Sequence, residues 1–187
     1  MAMVSPSRAD WTVERLHRLP DDGNRYEIID GELFVTPSPR LVHQHVVSEL
    51  FLIVGPYAKR VGLDPLTSPA DITFSDRTLV QPDIFVLPLV NGRRIATYAE
   101  ISSLILTIEV LSKSSRKLDR GKKRHLFQRE RVPEYWIVDG EARVIERWRP
   151  DADAAEVLTA ELTWQPVAFL PPLQIDLVAF FADIYPQ

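Results

Sequence analysis

Two acidic residues of this sequence stand inside apolar, strand-like segments. Glu109 lies within LILTIEVL (104–111), and Asp83 lies within VQPDIFVL (80–87). A buried carboxylate is costly unless it is protonated, paired or bound to a cation. Two such acids on adjacent strands can converge on one divalent metal, and Mg²⁺ prefers hard oxygen ligands of this kind. The alternative is that each acid pairs with a nearby arginine or lysine, but for the two acids together we favour the metal.

A strongly basic segment follows Glu109. Residues 113–131 contain nine lysines and arginines against two acids, a local balance of +7 in a chain whose formal charge is −4. Such an excess indicates a phosphate-binding surface, whereas the alternative for a charge run is a solvated helix face. Because the run begins directly after the candidate metal strand, we favour phosphate binding. The residues expected to bind phosphate are Arg116, Lys117, Arg120, Lys122 and Arg124.

Lys123 has two interpretations within this segment. Its spacing of four from Asp119 would let the two side chains pair on one helix face. In the functional interpretation Lys123 points toward the metal site, where it would orient the attacking water or stabilise charge that develops on a phosphate.

The composition excludes several other classes of site. The 187 residues include no cysteine, which excludes disulfides, thiolate zinc sites, iron–sulfur clusters and cysteine nucleophiles. The longest apolar stretch, 104–111, is too short to span a bilayer. The first sixteen residues lack the apolar region of an export signal. We therefore expect a cytoplasmic protein with no membrane partner.

The elements that must position these residues follow an α/β pattern. Asp30-Gly31 between two strand-like runs predicts a hairpin over 25–35. Apolar residues at helical spacing predict a helix over 43–59. The remaining predicted elements are strands over 70–75, 80–87 and 104–111, a basic helix over 117–130, strands over 134–139 and 143–149, and a C-terminal edge strand with a short helix near 176–184. This order predicts a mixed β-sheet flanked by helices.

Six motifs occur in order along the chain: YEIIDGEL, PSP with a following histidine, QPDIFVL, IEVLSKSS, a D…K pair and EYWIVD. Together they resemble the Uma2 family, also called DUF820, of restriction-endonuclease-like proteins in the PD-(D/E)XK nuclease superfamily. The resemblance covers roughly residues 11–150 and, more loosely, the strand and helix of 151–187. It implies a single nuclease-like domain over 1–187 with a restriction-endonuclease-like α/β fold and a magnesium-dependent phosphodiesterase site.

The resemblance also assigns roles to individual residues. Asp83 matches the acid of the "PD" motif, and Glu109 matches the acid of the (D/E)XK motif. The lysine of that second motif would stand at position 111, where this chain has leucine. The family resemblance places a lysine on the following helix instead, and Lys123 matches it, with Lys122 and Lys113 as alternatives. His43 matches a family histidine at the start of the first helix, where a catalytic role and a local hydrogen bond both remain open.

These assignments predict a Mg²⁺-dependent endonuclease that acts on DNA, with Mn²⁺ as a substitute metal. The five phosphate-binding residues named above would then hold the DNA backbone. Asp83, Glu109 and the backbone carbonyl of Val110 would bind the metal. A homodimer would let two sites cut both strands. Two alternatives stay open: a nuclease-fold module that binds nucleic acid without cutting, which Leu111 favours, and an oligomerisation protein whose acids are merely paired.

Overall fold

The structure is a computed structural model that describes residues 10–185. The prediction that the chain lacks an export signal rests partly on residues 1–9, which lie outside the described residues, as do 186 and 187 at the end of the predicted domain. Among residues 10–185, no helix has the length and apolar character that crossing a membrane requires.

Twelve strands and five α-helices are described between residues 10 and 185. The strands are β1 (Arg25–Ile29), β2 (Glu32–Thr36), β3 (Leu63–Thr67), β4 (Ile72–Ser75), β5 (Thr78–Val80), β6 (Ile84–Pro88), β7 (Leu106–Val110), β8 (Glu134–Asp139), β9 (Val144–Trp148), β10 (Glu156–Leu158), β11 (Glu161–Trp164) and β12 (Leu173–Asp176). The helices are α1 (Val13–Leu16), α2 (Leu41–Arg60), α3 (Arg116–Leu118), α4 (Arg124–Arg129) and α5 (Leu177–Ile184), with a π-helical turn at Asp119–Lys123 and a 3₁₀ turn at Tyr98–Glu100.

The strands form one mixed sheet and two antiparallel sheets. The largest has the order β10-β9-β8-β7-β6-β3, and within it only β7 and β8 run parallel. The second has the order β2-β1-β5-β4, and β11 pairs with β12 in the third. A parallel pair needs a crossover connection, and the helical segment from α3 to α4 supplies it. The predicted mixed sheet with flanking helices is confirmed.

Local sequence explains the predicted hairpin and one of the strands that were not predicted. The β1–β2 hairpin turns at Asp30 and Gly31, which both have positive φ, at 52° and 80°, as a two-residue type I′ turn requires. Strand β3 was not predicted because Pro65 interrupts its pattern. It lies at the edge of the large sheet, where a proline without an N–H is tolerated.

The large sheet is covered on both faces. On one face, Ile108, Val110 and Trp136 pack with buried residues of α2. On the other, Tyr135 and Ile137 pack with Leu126 and Phe127 of α4. Because side chains alternate along a strand, Glu109 lies on the face opposite Ile108 and Val110. The alternation therefore directs Glu109 toward the helical segment that follows it.

Candidate active site

Antiparallel pairing of β6 and β7 brings the two predicted acids together. Ile84 is the partner of Ile108, so Asp83, one residue before β6, stands opposite Glu109. The backbone N–H of Val110 donates to Asp83 Oδ2 at 2.9 Å. Asp83 and Glu109 are 3% and 2% exposed, and both line one cavity of about 660 Å³. The structure thus brings the two acids together, with Glu109 on β7 and Asp83 immediately before β6, where the sequence analysis had placed Asp83 inside a strand.

Asp83 has two basic neighbours. Arg25 Nη1 donates to its Oδ1 at 3.0 Å, and His43 Nε2 lies 3.1 Å from its Oδ2. Burial alone would raise the pKa of Asp83, but the hydrogen bond and attraction of His43, together with the charge of Arg25, lower it to about 2. Asp83 is therefore ionised across the physiological range. His43 reaches it from the first turn of α2, which fits the predicted position of this histidine near the site.

Lys123 contacts the second acid and a third one. Its Nζ lies 2.7 Å from Glu109 Oε1 and 2.8 Å from Glu27 Oε1, and the side chain is 2% exposed. Burial disfavours the charged lysine, but the carboxylates around it raise its pKa overall. Glu27 also accepts the backbone N–H of Gln81 at 2.7 Å. The lysine predicted to serve the site thus does lie beside Glu109.

A π-helical turn positions Lys123. The turn spans Asp119–Lys123, between α3 and α4, and buries Asp119 and Lys123 while Lys122 stays half exposed. Lys122 points away to pair with Glu32 at 2.8 Å. Such turns are rare and are often found at functional sites. The two adjacent lysines of the DRGKK segment therefore differ in role, and Lys123 is the one that reaches the cavity.

The buried acidic cluster contains more acids than cations. Its acids are Glu27, Asp83, Glu109 and Asp119, and the cations paired with them are Lys123 and Arg25. Four acids thus stand beside two paired cations, so full ionisation of the acids would leave two negative charges that Arg25 and Lys123 do not match. Burial raises the pKa of Glu109 well above its usual value, and that of Asp119 to about 6, with neighbouring acids adding to both shifts. A divalent cation bound here would favour the ionised form of these acids.

The donor set is chemically suited to magnesium. Mg²⁺ commonly takes one or two protein carboxylates and keeps several waters, and Asp83 with Glu109 supplies two hard oxygen donors beside an open cavity. Among residues 10–185, no group of three or more acidic or histidine side chains is already arranged to hold a metal. The pairing expected from the alternative interpretation is also present, because Arg25 contacts Asp83 and Lys123 contacts Glu109.

Most of the basic residues predicted to hold DNA contact other parts of the chain. Arg116 Nη2 donates to Glu141 at 2.8 Å, and Arg120 bridges Asp139 and Glu146. Arg124 lies over the ring of Trp148, and Lys122 pairs with Glu32. Of the five, Arg116 lines the cavity and Lys117 is exposed. The segment is thus mainly a network of internal ion pairs and stacking contacts, and its contact with DNA stays a prediction.

Two residues of the site were not found in the sequence. Glu27 is a buried acid in the apolar strand RYEII, so the criterion that identified Asp83 and Glu109 would have identified it too. Arg25, two positions earlier on the same face of β1, had no comparable signal. Its role depends on how β1 packs beside the large sheet, which a local pattern does not reveal.

Comparison with known proteins places this geometry in a family. The family model that matches residues 13–178 is Uma2, described as "Putative restriction endonuclease". Among solved structures, the chain is similar to a "putative nuclease belonging to DUF820" from Anabaena variabilis ATCC 29413, at a TM-score of 0.70 and 22% identity. The match covers 93% of this chain and 99% of the other. No curated protein matches the sequence.

Proposed function

The chain belongs to the Uma2 family, and from this premise we propose that it is a metal-dependent endonuclease that hydrolyses phosphodiester bonds in DNA. The observation that carries the proposal is the buried acidic cluster. Asp83 and Glu109 stand opposite each other in a cavity that also receives Lys123, and the cluster contains four acids for two paired cations. Burying more acids than cations is costly unless the acids are protonated or bind a further cation.

Asp83, Glu109 and the backbone carbonyl of Val110 would hold the metal, which we propose to be Mg²⁺ with Mn²⁺ as a substitute. A divalent ion bound there would lower the pKa of a water molecule and neutralise charge on the scissile phosphate.

Protein side chains would complete the site. Lys123 is proposed to orient the water or to stabilise charge on the phosphate, and Glu27 would hold its ammonium in place from 2.8 Å. His43, 3.1 Å from Asp83, would fix the orientation of that carboxylate. The cavity of about 660 Å³ gives a phosphodiester room to approach these groups.

The proposal is tested by cleavage of supercoiled plasmid DNA with Mg²⁺ or Mn²⁺. We expect the unaltered protein to nick or linearise the plasmid, and Glu109→Gln, Glu109→Ala and Asp83→Asn to reduce the rate by at least about 100-fold. The matched control is Asp64→Asn. Asp64 is a buried acid of the same sheet, but it pairs with Arg94 away from the cavity. Cleavage that is equal in all variants would contradict the proposal.

A second candidate is a nuclease-fold protein that binds nucleic acid without cutting. It is favoured by Leu111 at the usual lysine position and by the ion pairs that already engage both acids. A protein that binds DNA but leaves the plasmid intact with either metal would support this second candidate. The proposed homodimer concerns the cutting protein. Its two sites would produce paired cuts, one in each DNA strand.

A further inference from the structure

Five lysines and arginines line the cavity of the site, and they fall into two groups. Arg25, Lys123 and Arg116 each pair with an acid. The other two, Arg40 and Lys113, are exposed, and within residues 10–185 neither side chain makes a hydrogen bond or an ion pair. These two free cations therefore stand beside an acidic cluster without being neutralised by it.

Each free cation adjoins a wall of the site in the sequence. Arg40 comes three residues before His43, which contacts Asp83, and Lys113 comes four residues after Glu109. Both loops are held in place. Pro37 and Pro39 restrict the first, which Ser38 anchors by donating to the carbonyl of Gly23 at 2.7 Å. The second is closed by mutual hydrogen bonds between Ser112 and Ser115.

Helix stability does not explain why an arginine stands at position 40. It is the N-cap of α2, its side chain makes no capping hydrogen bond, and the first turn holds no acid. A positive charge at a helix N-terminus opposes the helix dipole, and serine or aspartate would cap the helix better. Lys59, in the last turn of the same helix, has the arrangement that the dipole favours. Arg40 is thus kept at a position where it weakens the helix.

We propose that Arg40 and Lys113 form a phosphate clamp, in which the two side chains bind the DNA phosphates that flank the scissile one. The inference rests on the proposed function. It assigns the phosphate contacts to two cations at the rim of the cavity, and no longer to the basic residues of 116–124 whose side chains contact other parts of the chain. Free cations bind phosphate without first giving up an internal partner, whereas Arg120 would have to leave two carboxylates.

The test is the salt dependence of DNA binding, measured by fluorescence anisotropy with a labelled duplex in Ca²⁺, which limits cleavage. Each phosphate contact contributes about 0.9 to the slope of log affinity against log salt. We expect Arg40→Gln and Lys113→Gln each to make the salt dependence less steep, reducing the magnitude of the slope by about one, and the double variant to reduce it by about two. Lys59→Gln is the matched control, because it removes a cation from the far end of α2, and it should leave the slope unchanged.

A second measurement separates binding from folding. Arg40→Ser should raise the unfolding temperature, since it replaces an unfavourable cation with a good N-cap residue, and should still weaken DNA binding. A merely structural role for Arg40 would make stability and binding fall together.

The outcomes distinguish this inference from the proposed function. Lowered slopes without plasmid cleavage would support the clamp and overturn the nuclease. Cleavage that depends on Glu109, with slopes unchanged in both rim variants, would overturn the clamp and leave the nuclease standing. Failure of the unaltered protein to bind the duplex would overturn the clamp.

Discussion

Lys123 donates a hydrogen bond to Glu109 at 2.7 Å, although fourteen residues separate them and they lie on different elements. A lysine at position 111 would reach the same face of the strand, because residues two apart in a strand share a face. Here that position is leucine, and the crossover from β7 to β8 brings the lysine back over Glu109 from the π-helical turn. The same pair of charges is therefore built from a helix and a strand.

The first prediction concerns the stability that Lys123 provides. Lys123→Met removes the cation that neutralises Glu109 and Glu27 in the buried cluster, and removing one partner of a buried ion pair costs about 3–5 kcal/mol. Lys122→Met, the matched control, breaks an ion pair whose lysine is half exposed and should cost less than about 1 kcal/mol. Urea denaturation measures both. Equal losses in the free energy of unfolding would contradict the assignment of Lys123 as the buried lysine and Lys122 as the half-exposed one.

The second prediction concerns pH in the metal-free protein. The pKa of Asp119 is raised from 3.8 to about 6, so the folded state holds this proton more tightly than the unfolded state. Stability should then fall as pH rises from about 4 to about 6, by on the order of 2–3 kcal/mol, and Glu109 should act in the same direction. Asp83 acts oppositely, because its pKa is lowered to about 2 and its stabilisation is lost only below pH 4.

Asp119→Asn tests this assignment. The variant should flatten the decline in the free energy of unfolding between pH 4 and 6 and leave the acid limb below pH 4 unchanged, as urea denaturation at a series of pH values would show. An unaltered decline would mean that Asp119 does not titrate in this range.

The site acids could be predicted because the free-energy cost of burying a carboxylate is apparent from the neighbouring residues in the sequence. An acid in an apolar strand stands out in the sequence, and Asp83 and Glu109 do lie together beside one cavity. Trp136 and Tyr135, which lie in the strand predicted over 134–139, are fully buried in the core. The β1–β2 hairpin was predictable for a similar reason, since Asp-Gly fixes the turn through its own backbone preferences.

The partners of the basic residues were not predictable from local patterns. Arg120 meets Asp139 and Glu146, which belong to β8 and β9, and only the folded sheet brings those acids under the helix. Arg40 shows the converse. Its charge is ordinary in the sequence, and only the folded chain shows that its side chain has no ion-pair partner among residues 10–185.

The third prediction concerns metal binding without turnover. Mn²⁺ should raise the unfolding temperature of the unaltered protein, since a ligand at about 100 times its dissociation constant adds about 2.7 kcal/mol to stability. Asp83→Asn and Glu109→Gln should abolish the shift, and Asp64→Asn should retain it. The shift should be larger at pH 7.5 than at pH 5, because carboxylates must lose their protons to bind. A shift of equal size in all variants would place the metal elsewhere.

The fourth prediction compares two glycines. Gly121 lies in the π-helical turn with helical backbone and nothing within 4 Å of where a Cβ would stand. Gly121→Ala should therefore raise the free energy of unfolding by about 0.4–1 kcal/mol, because alanine restricts the unfolded chain. Gly62 follows α2 with φ at +80°, so Gly62→Ala should lower it by about 1 kcal/mol although the space there is also open. Urea denaturation of the two variants gives both signs. Destabilisation by Gly121→Ala would mean that the wide turn, and with it the placement of Lys123, depends on glycine at this position.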